Sequence, residues 1–261
     1  ARIGIDVGGT FTDFILTRDD APPLLHKVLS TPADPSIAVV TGLAELAAMV
    51  DQARGVESFV ASIETIVHGT TVATNATLTG TGAKSALLTT EGIRDALEMR
   101  RGIREEQYNN AYTNVKPLVP RYLRAGVKGR LDRAGREIAP LDLAGIDAAI
   151  ADFRREGVEA VSICFMNSYA NPAHEAAAAE RVRAAMPDAF LTVSSTLLPS
   201  IRFYERVSTT ALNSYVGPKL NRYVEQLVSR LASAGFRGTL LIMQSNGGVM
   251  APEVARSSPA L

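Results

Sequence analysis

The residues of this chain that are best suited to chemistry begin at its N-terminal edge, where carboxylates and hydroxyls flank two glycines. The set consists of Asp6, Gly8, Gly9, Thr10, Thr12 and Asp13. Glycines at a bend tolerate positive φ and let backbone N–H groups approach an anion. Carboxylate oxygens are ligands that Mg²⁺ accepts in proteins. The stretch therefore predicts a phosphate site with its metal. The alternative is an ordinary hairpin turn whose carboxylates are solvated.

Apolar residues alternate on both sides of these glycines, which predicts two strands joined by a tight turn. They are Ile3, Ile5 and Val7 before the turn, and Phe11, Phe14 and Leu16 after it. A P-loop and a dinucleotide fingerprint both require a helix after the glycines, and neither spacing is present. A third strand is predicted over residues 24–30, so the chain is expected to open as a three-stranded meander.

A second polar stretch, His68, Gly69, Thr70 and Thr71, follows a predicted short strand, and Asn75 comes one helical turn later. A helix capped by Thr70 or Thr71 would direct its free N–H groups and its dipole at an anion or a carbonyl. This stretch is therefore a candidate anion or carbonyl site. The alternative is a threonine cap beside a structural histidine.

Arg100 and Arg101 lie at the start of a long segment of weak periodicity, which is predicted to be a loop. Long ordered loops inside domains are often functional. A resemblance to a known family, carried by the motif of residues 5–13, implies that Arg100 and Arg101 lie near a substrate cleft and suit an anionic or carbonyl ligand. The alternative is a solvated charged surface.

The last polar stretch follows a predicted buried strand over residues 239–243. Its candidate site residues are Gln244, Asn246, Gly247 and Gly248. Ligands of open α/β sheets collect outside the carboxyl ends of the strands, which favours binding here. A simple turn is the alternative.

The amino-acid composition of the chain bears on its partners and its location. The 261 residues are 46% hydrophobic, and 27 basic residues balance 27 acidic ones. Zero net charge gives no electrostatic reason to expect a nucleic-acid or membrane partner, and no apolar stretch is long enough to span a bilayer. The single cysteine, Cys164, lies in an apolar run and is predicted to be a buried thiol. A cytoplasmic location is expected.

Strands alternate with helices over residues 84–194, which predicts an α/β layer with right-handed crossovers. A long helix is expected from residue 205 to about 234, bent near Gly217 and Pro218. His174 is placed in an exposed helix and is expected to be uninvolved.

The N-terminal motif Ile5-Asp6-Val7-Gly8-Gly9-Thr10-Phe11-Thr12-Asp13 resembles the start of the hydantoinase A/5-oxoprolinase family, within the sugar kinase, Hsc70 and actin superfamily. Three later stretches, at residues 67–75, 117–121 and 243–248, follow the order of that family. The resemblance implies a ribonuclease H-like mixed sheet with flanking helices, which is the first half of a two-half nucleotide-binding fold, plus a further α/β layer. The expected parts are residues 1–125 with the first phosphate loop, 126–200 as an α/β insertion, and 201–261 leading to the second half.

The resemblance also implies an ATP-dependent hydrolase of cyclic amides such as hydantoins, 5-oxoproline or lactams, acting by phosphorylation of the amide oxygen. N–H groups of Gly8, Gly9 and Thr10 would hold phosphate, Thr10 and Thr12 would add hydroxyls, and Asp6, with Asp13, would hold Mg²⁺. The alternatives are an ATP-dependent ketone carboxylase and a non-catalytic module of the same fold. A hydantoinase B-type subunit is the expected partner. The second phosphate loop is expected beyond residue 261.

Overall fold

The fold was analysed in a computed structural model that describes residues 1–50, 53 and 55–260. The strands are β1 (Arg2–Val7), β2 (Phe11–Arg18), β3 (Ala21–Leu29), β4 (Thr65–Thr70), β5 (Ser85–Thr90), β6 (Arg124–Val127), β7 (Arg130–Leu131), β8 (Glu137–Ala139), β9 (Ala160–Cys164), β10 (Phe190–Val193), β11 (Thr239–Met243) and β12 (Val249–Met250). The α-helices are α1 (Pro35–Val50), α2 (Val56–Ala61), α3 (Val72–Leu78), α4 (Ala96–Met99), α5 (Leu143–Arg155), α6 (Ala173–Ala185), α7 (Ser194–Leu197), α8 (Phe203–Ser233) and α9 (Pro252–Ser257).

These elements form two compact units. The first combines residues 1–81 with residues 219–259, and the second comprises residues 82–218 with residue 260. Helix α8 contributes to both, since residue 218 ends one part and residue 219 begins the other. The borders expected at residues 125 and 200 both fall inside the second unit. The three-part division of the chain stays a prediction.

The first unit is built on a six-stranded sheet in the order β12-β11-β4-β1-β2-β3. Strands β1, β2 and β3 form the expected antiparallel meander, whereas β4 lies parallel to β1 and β11 lies parallel to β4. This order is the one expected of a ribonuclease H-like sheet. Because β1, β4 and β11 are parallel, their carboxyl ends lie at the same edge of the sheet.

Helices cover one face of this sheet. Its core includes Leu43 and Leu46 of α1, Phe59 of α2, and Val224 and Leu227 of α8. The packing is close: a Cβ added at Gly42 of α1 would lie 2.2 Å from the ring of Phe14. Any larger residue at position 42 would therefore displace the strand beneath it.

The second unit holds a parallel sheet in the order β10-β9-β5-β6 and the small hairpin β7-β8. Every residue of β5 and β9 is buried, as expected for strands covered on both faces. Cys164 is a buried free thiol, as predicted, and burial raises its pKa to about 11. The buried carboxylate of Glu175 accepts hydrogen bonds from the Phe165 and Ser195 N–H groups and the Ser194 hydroxyl.

Three local expectations differ from the structure. His174 is buried and hydrogen-bonded to Glu137 at 2.7 Å, because the β7-β8 hairpin covers it. The sequence pattern of Ile93, Leu97 and Met99 predicts a helix over residues 93–99, whereas the structure forms only α4 there. Strand β11 buries only Ile242 fully, although Leu240 on the same face packs partly buried against the core, while Met243 on the other face is exposed.

Pro218 lies inside the 31-residue helix α8, as the sequence predicted. Among the described helices, including this longest one, none has an apolar stretch that could cross a lipid bilayer.

Candidate functional site

The turn between β1 and β2 is held by backbone contacts and by Ser30, which follows β3. The Gly8 N–H donates to the Phe11 carbonyl at 3.0 Å, the Ser30 N–H donates to the Thr10 carbonyl at 2.9 Å, and the Ser30 hydroxyl donates to the Gly8 carbonyl at 2.8 Å. The N–H groups of Gly9 and Thr10 have no acceptor in the described part of the chain. Of the three donors expected to hold phosphate, the structure therefore leaves Gly9 and Thr10 available and uses Gly8 within the turn.

Asp6 and Asp13 are direct cross-strand partners on the sheet face opposite the helices. Lys27 on β3 pairs with Asp13, with 2.9 Å between Lys27 Nζ and Asp13 Oδ1. Asp6 makes no side-chain hydrogen bond or ion pair to any described residue. A carboxylate without a partner, placed beside a second carboxylate, is available to a ligand.

Gly69 on β4 makes room for the Asp6 carboxylate. It is the parallel neighbour of Asp6, and a Cβ added there would lie 3.2 Å from Asp6 Oδ1. That separation is tighter than ordinary van der Waals contact, so a larger residue would move the carboxylate. Gly69 is thus a neighbour of the Asp6 carboxylate, and its expected part in a binding site stays a prediction.

Thr12 lies on the other face of the sheet. Its side chain is fully buried, and its hydroxyl lies 3.0 Å from the Ser30 hydroxyl. The strand alternation that turns Asp13 outward turns Thr12 inward. The structure therefore does not bring Thr12 together with Asp6, and its hydroxyl holds the turn in place.

His68 is also directed away from Asp6. It is fully buried, with its Nε2 2.6 Å from the Tyr223 hydroxyl of α8, and its Nδ1 has no hydrogen-bond partner in the described chain. Burial lowers the pKa of His68 to about 4 and raises the pKa of Tyr223. His68 is consequently a buried, neutral side chain, and its expected part in a binding site stays a prediction.

Thr71 and Asn75 lie beside the hairpin turn. The Thr71 N–H and hydroxyl both donate to the Val7 carbonyl at 3.3 Å, and Asn75 Nδ2 donates to the Thr71 hydroxyl at 3.1 Å. A Cβ on Gly9 would lie 3.8 Å from Asn75 Nδ2. Thr71 occupies the N-cap position of α3 without a side-chain capping bond, and Thr70 Oγ1 instead accepts from the Val72 N–H at 3.3 Å.

Gln244 to Gly248 form the turn between β11 and β12. The Gln244 N–H donates to the Gly248 carbonyl at 2.8 Å, and the Gly248 N–H donates to Asn246 Oδ1 at 2.8 Å. Gly247 has φ +85°, which disfavours residues with a side chain. The stretch is thus a tight turn, and it also lies at the sheet edge where β1 and β4 end.

Arg100 and Arg101 belong to the second unit and line a cavity of about 270 Å³ with Ile103, Glu105 and Tyr204. Arg100 pairs with Glu105, and this contact holds the pKa of Glu105 at about 2. Arg101 pairs with Glu205 at 2.7 Å. Both arginines therefore already have carboxylate partners, and their expected role as ligands of a substrate stays a prediction.

Sequence reasoning missed Lys27, Ser30 and Tyr223. Each acts through a partner distant in sequence, and those partners are Asp13, Thr12 and His68. The position of Lys27 would follow from the register of β2 and β3, but register requires a known turn. The sequence alone carries no comparable signal for Tyr223.

The described residues contain no group of three or more His, Cys, Asp or Glu side chains arranged to hold a metal by themselves. The Asp6 and Asp13 pair fits the way Mg²⁺ is usually held, by one or two carboxylates with phosphate oxygens and water.

Comparison with known proteins decides the family. The model of the hydantoinase/oxoprolinase N-terminal region matches residues 2–186, and the hydantoinase/oxoprolinase model matches residues 206–261. The chain belongs to the hydantoinase/oxoprolinase family. The resemblance read from the N-terminal motif is thereby confirmed.

Two curated relatives illustrate the range of the family. The chain is 42% identical to the caprolactamase subunit alpha of Pseudomonas jessenii, over all of this chain and 37% of that protein. It is 32% identical to the acetophenone carboxylase gamma subunit of Aromatoleum aromaticum, over 94% of this chain and 35% of that protein. The chain therefore spans little more than a third of the length of these relatives.

Solved structures confirm the fold. The ATP-dependent caprolactamase from Pseudomonas jessenii superposes with a TM-score of 0.89 at 40% identity, covering all of this chain and 39% of that chain. The nucleotide-free structure of acetone carboxylase gives a TM-score of 0.86 at 25% identity, covering 98% and 38%. The predicted α/β, actin-like architecture is confirmed.

Proposed function

We propose that this chain is the part of an ATP-dependent cyclic amide hydrolase that holds the phosphates of the nucleotide at the β1-β2 hairpin. The observation that carries the proposal is the arrangement of Asp6: an unpartnered carboxylate beside Asp13, at a turn whose Gly9 and Thr10 N–H groups are free. Family membership and the 42% identity to a caprolactamase subunit support the same reaction class.

The reaction begins with transfer of the γ-phosphoryl group of ATP to the amide oxygen. The amide oxygen bonds to the γ-phosphorus as the bond to ADP breaks, which turns a poor electrophile into an activated one. Such transfers depend chiefly on positioning and charge neutralisation. The Gly9 and Thr10 N–H groups would hold phosphate oxygens, and the Thr10 hydroxyl would add a donor.

Asp6, with Asp13, would hold Mg²⁺, largely through water because this ion dehydrates reluctantly. The ion would supply neutralisation of the charge on the phosphate oxygens. Lys27, paired with Asp13, limits the negative charge at this position and would help keep the site compatible with a polyphosphate.

A hydantoinase B-type partner is proposed to act on the phosphorylated substrate. The relatives supporting this step are themselves named as subunits. A cytoplasmic location is proposed on the basis of the single cysteine, a buried free thiol that suits a reducing compartment.

A ketone carboxylase subunit is the second candidate, favoured by the 32% identity to the acetophenone carboxylase subunit. The same phosphate site would then activate an enolate oxygen. Comparing ATP turnover with lactams against turnover with ketones plus bicarbonate, in the presence of the partner subunit, separates these candidates.

The test of the phosphate site is Mg²⁺-dependent ATP binding to the purified chain, measured by isothermal titration calorimetry. Asp6→Ala is expected to weaken binding of Mg·ATP by about tenfold or more, the equivalent of one charge-assisted contact. Gly9→Val should block it, because the side chain fills the space next to Asn75. Asp20→Ala, in the exposed β2-β3 turn, is the matched control and should bind like the wild type. Unchanged affinity in Asp6→Ala would refute the assignment.

A further inference from the structure

The turn between β1 and β2 has few side chains of its own to fix its shape. Two of the three residues between these strands, Gly8 and Gly9, are glycines, which have the least restricted backbone of all residues. The direction in which the Gly9 N–H group points must therefore be set by groups outside the turn.

Two residues from outside the turn hold backbone carbonyls in it and beside it. The Thr71 N–H and hydroxyl both donate to the Val7 carbonyl at 3.3 Å. The Ser30 N–H donates to the Thr10 carbonyl at 2.9 Å, and the Ser30 hydroxyl donates to the Gly8 carbonyl at 2.8 Å. Ser30 therefore holds the turn at two points, one through its backbone and one through its side chain.

The proton of the Ser30 hydroxyl is committed to the Gly8 carbonyl. The Ser30 and Thr12 hydroxyls lie 3.0 Å apart, and a hydroxyl has one proton to donate but can accept twice. Because Ser30 donates to Gly8, the proton between the two hydroxyls comes from Thr12. Removal of the Thr12 hydroxyl would leave the bond from Ser30 to Gly8 in place.

The bond from Ser30 determines where the Gly9 N–H points. The peptide that joins Gly8 to Gly9 is planar and trans, so its C=O and N–H bonds point in opposite directions. Thr12 is buried on the helix-covered face, and the Ser30 hydroxyl in contact with it holds the Gly8 carbonyl toward that face. The Gly9 N–H is consequently directed to the opposite face, which carries Asp6.

We propose that Ser30 is a positioning residue of the phosphate site. It presents the Gly9 N–H to a phosphate oxygen before the nucleotide binds. Such preorganisation raises affinity, because the conformational entropy of the two glycines is not lost on binding. This inference rests on the proposed function, and it adds a residue outside the N-terminal motif that acts through the Gly8 carbonyl.

The test compares Ser30→Ala with a matched control, Ser62→Ala. Each change removes a hydroxyl that donates to a backbone carbonyl, that of Gly8 at 2.8 Å for Ser30 and that of Phe59 at 2.6 Å for Ser62. Calorimetry should show that Ser30→Ala binds Mg·ATP about fivefold more weakly than the wild type, the equivalent of one neutral hydrogen bond. Ser62→Ala should bind like the wild type, and Ser30→Thr, which keeps the hydroxyl, should restore the affinity.

A second measurement needs no nucleotide. The order parameter of the Gly9 amide, obtained from ¹⁵N relaxation, should be about 0.85 in the wild type and in Ser62→Ala, and it should fall below about 0.6 in Ser30→Ala. A merely structural role of Ser30 would give the two alanine variants the same order parameter and the same affinity.

Separate outcomes decide the two proposals. Weaker Mg·ATP binding and a mobile Gly9 amide in Ser30→Ala alone, both reversed in Ser30→Thr, would support the positioning role. Wild-type affinity or a rigid Gly9 amide in Ser30→Ala, an equal loss in Ser62→Ala, or no recovery in Ser30→Thr would overturn it. The phosphate site would still stand in those cases, because Asp6→Ala tests it separately. A wild-type chain that does not bind Mg·ATP would overturn both proposals.

Discussion

The two faces of the six-stranded sheet differ in burial, although the same strands supply the side chains of both. On the helix-covered face, Thr12, Phe14 and His68 are buried and have their partners inside the protein. On the open face, Asp6, Asp13 and Ile15 alternate with them along the same strands and reach solvent. The difference shows that a polar residue in a functional motif acquires its role from the face it occupies, since adjacent strand residues point in opposite directions.

Truncating one leucine on each face gives the largest expected contrast. Leu43→Ala removes a fully buried side chain from the core and should lower the free energy of unfolding by about 3–4 kcal/mol. Leu25→Ala, at a position 71% exposed, should change it by less than about 0.5 kcal/mol. Urea unfolding followed by circular dichroism measures both. A similar loss in the two variants would mean that the open face is covered in solution.

The second-largest expected effect is a loss of stability at low pH, which arises from His68 on the helix-covered face. Burial lowers the pKa of folded His68 to about 4, whereas the unfolded imidazole has a pKa of about 6.5. The unfolded chain therefore binds more protons between these values. About 3 kcal/mol of stability, fully present above pH 6.5, should be lost as the pH falls through this window to below 4.

The control for this titration is His68→Gln, which should show a flatter dependence of unfolding free energy on pH between 6.5 and 4. Parallel curves for the wild type and His68→Gln would show that His68 is accessible to protons in the folded state.

Replacing Thr12 and Thr10 of the hairpin by valine should give the smallest contrast, in stability and in Mg·ATP affinity. Thr12→Val removes the contact with Ser30 and should cost about 1 kcal/mol of stability with little effect on Mg·ATP affinity. Thr10→Val should leave stability within about 0.5 kcal/mol and weaken Mg·ATP a few-fold. Thermal unfolding and calorimetry measure the pair. The reverse pattern would assign Thr12 to the ligand and Thr10 to the turn.

The sequence predicted the fold well because its strongest signals are local. The Gly8-Gly9 turn, the alternation around it and the long apolar spacing of α8 each specify one element without reference to distant partners. Phe11 shows where alternation misleads. It was grouped with Phe14 and Leu16, but it lies an odd number of residues from them and is 42% exposed, with Lys27 4.9 Å from its ring centre.

The sequence indicated which residue types surround the candidate site, but it did not indicate which of their side chains point toward one another. Asp6 is the strand neighbour of both Asp13 and Gly69, whereas His68 and Thr12, which were named as candidates beside them, point into the core. Which face is buried depends on helix packing from α1 and α8, and these contacts join residues far apart in the chain. The composition of the chain also carries no signal at residues 218 and 219, because α8 continues through both positions as one helix.

The pairing of β11 with β4 also bears on how the protein is made. Thr239 lies opposite Thr65, so the second unit is synthesised between two neighbouring strands of the first sheet. The β1-β3 meander leaves the ribosome before the second unit, and its sheet gains β11 only after the whole second unit has emerged. Closing so long a loop is slow, because its entropy is lost before the contacts form. During that interval the edge of β4 and the apolar side of the meander are exposed to other chains, with which they can aggregate. We therefore expect chaperones and a low expression temperature to raise the yield of soluble protein.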